Sequence, residues 1–232
     1  MEFSSYFHFG RFEFRQVVFI TEYMYNCLEK DYEEATILAK QVWKPSTMLN
    51  PVPIIMVSCV DNEGKPNIIT LAWAGTVNSD PPMVSISIRK PRYSYDLIKE
   101  KGEFVINLPT SKLVFATDFC GVKSGRDINK FEAMSLTPEK ASIVSVPIIK
   151  ECPVNLECVV KQVIELGSHD MFLAEIVATN VDEALIDENG KLDLNKAGLI
   201  CFSHGEYYSL AKSLGFFGYS VTKKTNLKRN RK

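Results

Sequence analysis

Residues 67–96 read NIITLAWAGTVNSDPPMVSISIRKPRYSYD, and their pattern decides the fold. Ile68 to Trp73 is an apolar run rich in β-branched residues, while Met83 to Ile88 alternates Val84, Ile86 and Ile88 with Ser85 and Ser87. That second run has the two-residue period of a strand with one buried face. Between them, AGTVNSDPP predicts a tight corner. Pro81 and Pro82 cannot continue a ladder, Gly75 admits close backbone approach, and Thr76, Asn78 and Ser79 supply hydrogen bonds. Arg89, Tyr93, Ser94 and Tyr95 then lead into YDLIKEK, with Ser94 as the expected N-cap of a helix. A guanidinium at a helix N-terminus is a seat for a phosphate. A shelf of backbone amides beside such a seat suits a flat polar ring with a phosphorylated tail; an ordinary hairpin with a surface arginine is the alternative.

Upstream, IIMVSCV (54–60) is a continuous apolar run, expected to be a strand buried on both faces, and DNEGKP turns it back into residue 67. Downstream, the helix is expected to end at Gly102, and GEFVINLP (102–109) returns as a strand. TSKLVFATDFCG (110–121) predicts a second helix, with Ser111 as N-cap and Gly121 as the residue after its end. VKSGRDINKF lacks the Gly-Lys-Ser/Thr ending of a nucleotide-triphosphate loop. Lys123, Ser124 and Arg126 there either cover a ligand or belong to a solvated turn. ECPVNLECVVKQVIEL and MFLAEIVATNVDEALI, joined by GSHD, predict a long hairpin with Leu156, Cys158, Val160, Ile164 and Leu166 on one face. Long antiparallel strands of this kind close barrels. His169, in the turn, is expected to be solvated. GLICFSHGEYY predicts a last strand with His204 at its end, beside Tyr207 and Tyr208, where a binding role and a structural role are equally open.

Composition bounds the rest. The chain has 232 residues, 46% of them hydrophobic, enough for a substantial core in one domain. A formal net charge of −1 gives no global field to attract nucleic acid or an anionic membrane. No apolar run is long enough to span a bilayer. Six cysteines without a C-x-x-C pair, and three histidines, offer no metal-ligand spacing, and reduced thiols in a cytoplasm are the simplest expectation. Residues 1–40 are expected to be an extension to the domain at 41–220, and 221–232 a basic, disordered tail. Within the extension, residues 1–32 hold ten of the 25 aromatic residues without a signal-peptide pattern, and 28–41 predicts a helix.

Several motifs taken in order, PNIITLAWAGTVNSDPPMVSISIRKPRYSYDLI, GEFVINLP, SGRDINKFEAMSLTP, ECPVNLEC and HGEYY, resemble the flavin reductase-like, flavoredoxin-type family of FMN-binding split barrels, from about Trp43 to Gly218. The resemblance implies a mainly β fold, a six-stranded antiparallel Greek-key barrel with short helices. It implies FMN lying along Ala72, Trp73, Ala74, Gly75 and Thr76, with Arg89, Tyr93 and Ser94 on the phosphate and Lys123 reaching the phosphate or the pyrimidine edge. NADH or NADPH would be the electron donor, with His204 beside the nicotinamide as the catalytic residue. The resemblance further implies a homodimer and no nucleic-acid or membrane partner. The Ala72-Trp73-Ala74 corner, where many relatives have Ala-Asn-Ser or Ala-Ser-Ser, fits the flavoredoxin branch. The chain has no nucleophilic or paired-carboxylate arrangement of its own, as expected where a cofactor carries the chemistry. Two other functions fit the pattern: an FMN electron carrier reduced by a redox protein partner, and a barrel interaction domain without flavin.

Overall fold

The computed structural model describes residues 40–221, and the chain divides into Met1–Thr47 and Met48–Lys232. Of the first unit, residues 40–47 are exposed and lack regular structure. The aromatic-rich segment 1–32, the expected helix 28–41 apart from its last two residues, and the basic tail apart from Val221 lie outside the described residues.

The second unit is built on a seven-stranded, wholly antiparallel sheet in the order β3-β2-β6-β9-β10-β5-β4. Its strands are β2 (Ile55–Val60), β3 (Pro66–Leu71), β4 (Ala74–Ser79), β5 (Pro82–Ile88), β6 (Glu103–Asn107), β9 (Val154–Glu165) and β10 (Asp170–Val181). A second sheet pairs β1 (Val52–Pro53), β11 (Ile200–Ser203) and β12 (Glu206–Ser209), and a third pairs β7 (Pro138–Glu139) with β8 (Ile148–Ile149). The helices are α1 (Tyr93–Lys101), α2 (Val114–Val122) and α3 (Lys130–Ala133).

β3 and β4 occupy opposite edges of the large sheet, yet only Ala72 and Trp73 separate them in sequence. So short a link reaches about 11 Å at most, and the sheet therefore curls until its two edges nearly meet. Counted as one bent strand, 66–79 restores the expected six strands: its first half pairs with β2 and its second with β5. No ladder joins β3 to β4, which leaves a barrel split along that seam.

The predicted corner AGTVNSDPP is thus mostly a strand, and only Asp80 and Pro81 form its turn. Residues 76–79 are exposed, so selection for apolar alternation is absent there, and register comes from pairing with β5. β2 is buried at every position, as its continuous apolar run requires. Ile86, Ile88, Phe104 and Phe172 meet it inside the barrel, together with Ile98 from α1. Each such side chain contributes about 1.5–3 kcal/mol over its exposed state, so this cluster outweighs any single polar contact in the barrel.

Three local expectations need correction. The inward face of β9 changes partway, because the ladder with β10 skips Lys161; Val160 and Val163 pack on the core, while Leu166 is exposed. Gly121 lies inside α2, where a Cβ would come within 3.3 Å of the Thr70 Cβ; the glycine permits close packing of helix on strand, and Lys123 ends the helix. Ser111 begins a short 3₁₀ turn, and Val114 begins the α-helix.

Candidate functional site

The seam at Ala72 and Trp73 opens into a cavity of about 310 Å³ lined by Thr70, Leu71, Ala72, Trp73, Ser87, Arg89, Arg92 and His169. A smaller one, about 100 Å³, is lined by residues that include Asn67, Arg92, Tyr93, Ser94, Lys123, Gly125 and Lys130. Arg92 borders both.

α1 begins at Tyr93 with Arg92 as N-cap, and Ser94 lies one residue inside, so the expected Ser94 cap does not form. Ser94 is buried, and its Oγ accepts a hydrogen bond from the Asn67 amide at 2.8 Å. Gly102 in the left-handed region closes the helix as expected. Arg92 donates to the Gly121 carbonyl at the end of α2. The loop after α2 then folds over the smaller cavity. Arg126 sits 5.1 Å from the Tyr93 ring centroid and donates to the Pro91 carbonyl at 3.3 Å, while Ser124 Oγ accepts from the Arg126 amide.

Lys130 forms the wall of this cavity. It is 3% exposed, and its Nζ donates to the Ile68 carbonyl at 2.7 Å and the Cys120 carbonyl at 2.8 Å. No carboxylate among the described residues pairs with it. Burial pushes its pKa down to about 8, and the nearby Arg92 charge adds to the fall. An ammonium has three N–H donors, so one remains for a ligand. Below Asn67 and Ser94 lies Cys59, whose thiol burial raises to about 11.

In the larger cavity, Ser87 lies on the face of β5 opposite the core residues Ile86 and Ile88, and Arg89 follows directly after the strand's end. The β5–β10 register sets Asp170 opposite Ile88, which brings His169 next to Arg89. Ser168 Oγ lies 2.9 Å from His169 Nδ1. Burial, and then the Arg89 charge, lower the His169 pKa. Trp73 is 37% exposed, and nothing occupies the space a Cβ on Gly75 would take.

The expected site therefore comes together in two parts. Tyr93, Ser94 and Lys123 line the smaller cavity together with Arg92, whereas Arg89 lines the larger one; the helix starts two residues earlier than its serine suggested. Arg89 joins Ala72 and Trp73 in the larger cavity, and Ala74, Gly75 and Thr76 continue from there along β4. His204 lines neither cavity. It occupies the exposed turn between β11 and β12 at φ 50°, its amide donating to Asn50 Oδ1 at 3.3 Å, and the expected last strand is a hairpin. Sequence reading missed Lys130, Arg92, Asn67 and His169.

A model of the flavin reductase like domain matches residues 47–211. The chain is 36% identical over 164 residues to an uncharacterised protein of Archaeoglobus fulgidus, covering 71% of this chain and 92% of that one. Flavoredoxin of Desulfovibrio vulgaris (Miyazaki F) is similar in structure with a TM-score of 0.75 at 32% identity, covering 79% of this chain and 100% of that one. Flavoredoxin from Methanosarcina acetivorans gives a TM-score of 0.71 at 28% identity, with coverage of 79% and 100%.

Proposed function

Since the chain belongs to the flavin reductase-like domain family, we propose that it is an FMN-binding oxidoreductase that accepts reducing equivalents from NADH or NADPH. The observation that carries this reading is Lys130, a buried ammonium that faces carbonyl oxygens, has no carboxylate partner among the described residues, and borders a cavity of about 100 Å³. Burying an unpaired charge is costly, and a phosphate monoester would supply the missing anion. A cavity of about 100 Å³ is of a size to seat one phosphate group, as FMN carries.

Lys130 and Arg92 would hold the phosphate, with Lys123 at its rim and the Asn67 and Ser94 side chains beneath. The link Ala72-Trp73 and β4 from Ala74 to Thr76 would line the ring, and Trp73 would shield it from water. Bound there, FMN supplies hydride and single-electron chemistry that the side chains lack. Lys123 and Arg126 both fall in the segment that folds over the smaller cavity and would partly cover the phosphate.

The test is a titration of the purified protein with FMN and riboflavin, followed by addition of NADH or NADPH under anaerobic conditions. Tighter binding of FMN than of riboflavin, and bleaching of the bound flavin, are expected. Equal affinities would remove the phosphate seat; binding without bleaching would leave an electron carrier served by a protein. The reading extends to a homodimer, supported by large apolar side chains left open to solvent: Phe115 at 74% exposure, Leu214 at 98% and Phe217 at 106%.

A further inference from the structure

Among the described residues, five cations line the two cavities, Arg89, Arg92, Lys123, Arg126 and Lys130, and no carboxylate does, although the chain as a whole carries a formal net charge of −1. Four of them border the smaller cavity. A phosphate monoester brings a charge of about −1.5 to −2 at neutral pH, and these four are enough to balance it. Arg89 stands apart. It lines only the larger cavity, it is exposed, and its guanidinium makes no hydrogen bond or ion pair with another described residue.

The adjacent cation shows the contrast. Lys90 points to the other side of the strand end, with its Nζ 3.2 Å from Glu165 and 3.5 Å from Asp170. The fold thus neutralises Lys90 and leaves Arg89 uncompensated over the larger cavity. Beside it is His169, where burial and then the Arg89 charge lower the pKa and so favour the uncharged imidazole, a hydrogen-bonding group.

We propose that Arg89, with His169 beside it, receives an anionic group, a phosphate or a carboxylate, on the second reactant of this site, the small molecule that exchanges electrons there. The inference rests on the flavin reading of the two cavities. A guanidinium binds either anion through paired N–H donors.

The experiment uses FMN-loaded wild type, Arg89→Gln and Arg89→Lys, with FMN affinity measured first for each. The visible spectrum of the bound flavin is then followed as ADP-ribose, a pyrophosphate without nicotinamide, or benzoate, a carboxylate, is added. At least one probe is expected to perturb the wild-type spectrum with an affinity that falls about tenfold or more in Arg89→Gln, the loss of a hydrogen bond to a charged group. Arg89→Lys should recover part of it. A response to ADP-ribose alone assigns the site to a nucleotide reductant, and one to benzoate alone to an organic acid. No perturbation by either probe, or equal affinity in wild type and Arg89→Gln, overturns the proposal. A wild type that takes up no FMN at the first step overturns the flavin reading itself.

Discussion

Gly125 lies against the side chain of Asn67 so closely that a Cβ on the glycine would stand 2.1 Å from Asn67 Oδ1 and 2.9 Å from Tyr93 Cδ1. The loop after α2 can reach the floor of the smaller cavity only because that position has no side chain. Gly125→Ala should displace the loop or the buried amide beneath it, at a cost of about 1–3 kcal/mol for overpacking. Urea denaturation would show the lost stability, and FMN affinity should fall with it. A variant as stable as wild type with unchanged affinity would mean that the loop does not need this contact.

Lys130→Met keeps most of the side-chain volume and removes the charge. FMN binding should weaken by about 1.5–3 kcal/mol, the range for a hydrogen bond to a charged group. Riboflavin, which has no phosphate, should lose much less. Fluorescence titration with both ligands checks this, and equal losses would count against a phosphate at this cavity.

The pKa of Lys130 sets two opposite pH dependences. The folded value, about 8, lies below the ordinary lysine value of 10.5, so between them the unfolded chain holds the extra proton and folding stability rises with pH. Ligand-free protein should therefore gain stability as pH climbs through 8, while FMN affinity falls as the ammonium is lost. Above pH 9 the buried thiols of Cys59 and Cys120, both raised to about 11, act against the gain. The comparison is thus wild type minus Lys130→Met, with denaturation curves and FMN titrations at each pH. Parallel trends in both quantities would rule out Lys130 as the linked group.

His204→Asn tests the one expected catalytic residue that lies outside both cavities. Asparagine tolerates φ near 50° well, so stability should stay within about 0.5 kcal/mol of wild type, as for most surface changes. FMN affinity should also hold. Stopped-flow reduction by NADH is the decisive measurement: an unchanged rate is expected from its exposed position, and a slow one would bring His204 back to the site.

The exposed side chains Phe115, Leu214 and Phe217 should be covered by a second copy. Sedimentation velocity at micromolar concentration should give a dimer, and a single monomeric species would remove that proposal.

Where packing repeats along a strand, the sequence was a sufficient guide. β2 and β5 could be read from their apolar pattern, and α1 from the glycine that ends it. β4 could not, because its side chains face solvent and its identity as a strand depends on β5. Arg92 escaped notice because the helix starts two residues early: the serine that looked like a cap hydrogen-bonds instead to Asn67, which lies 27 residues away. His169 reaches Arg89 only through the register of two strands distant in sequence. Lys130 follows an N-cap asparagine, a position where lysine is normally solvated, and its burial arises only when α3 settles against β3. The carbonyls of Ile68 and Cys120 could have flagged it only after the fold was known.

The bend at Ala72 and Trp73 ties durability to capacity. Those two residues are where the large sheet fails to close on itself, and they also line the larger cavity. Any substitution that healed the seam by letting β3 pair onward would strengthen the ladder and fill the opening at once. Resistance to unfolding and room for a ligand are therefore set against each other at the same two positions, and selection for tighter closure would erase the site before it damaged the fold.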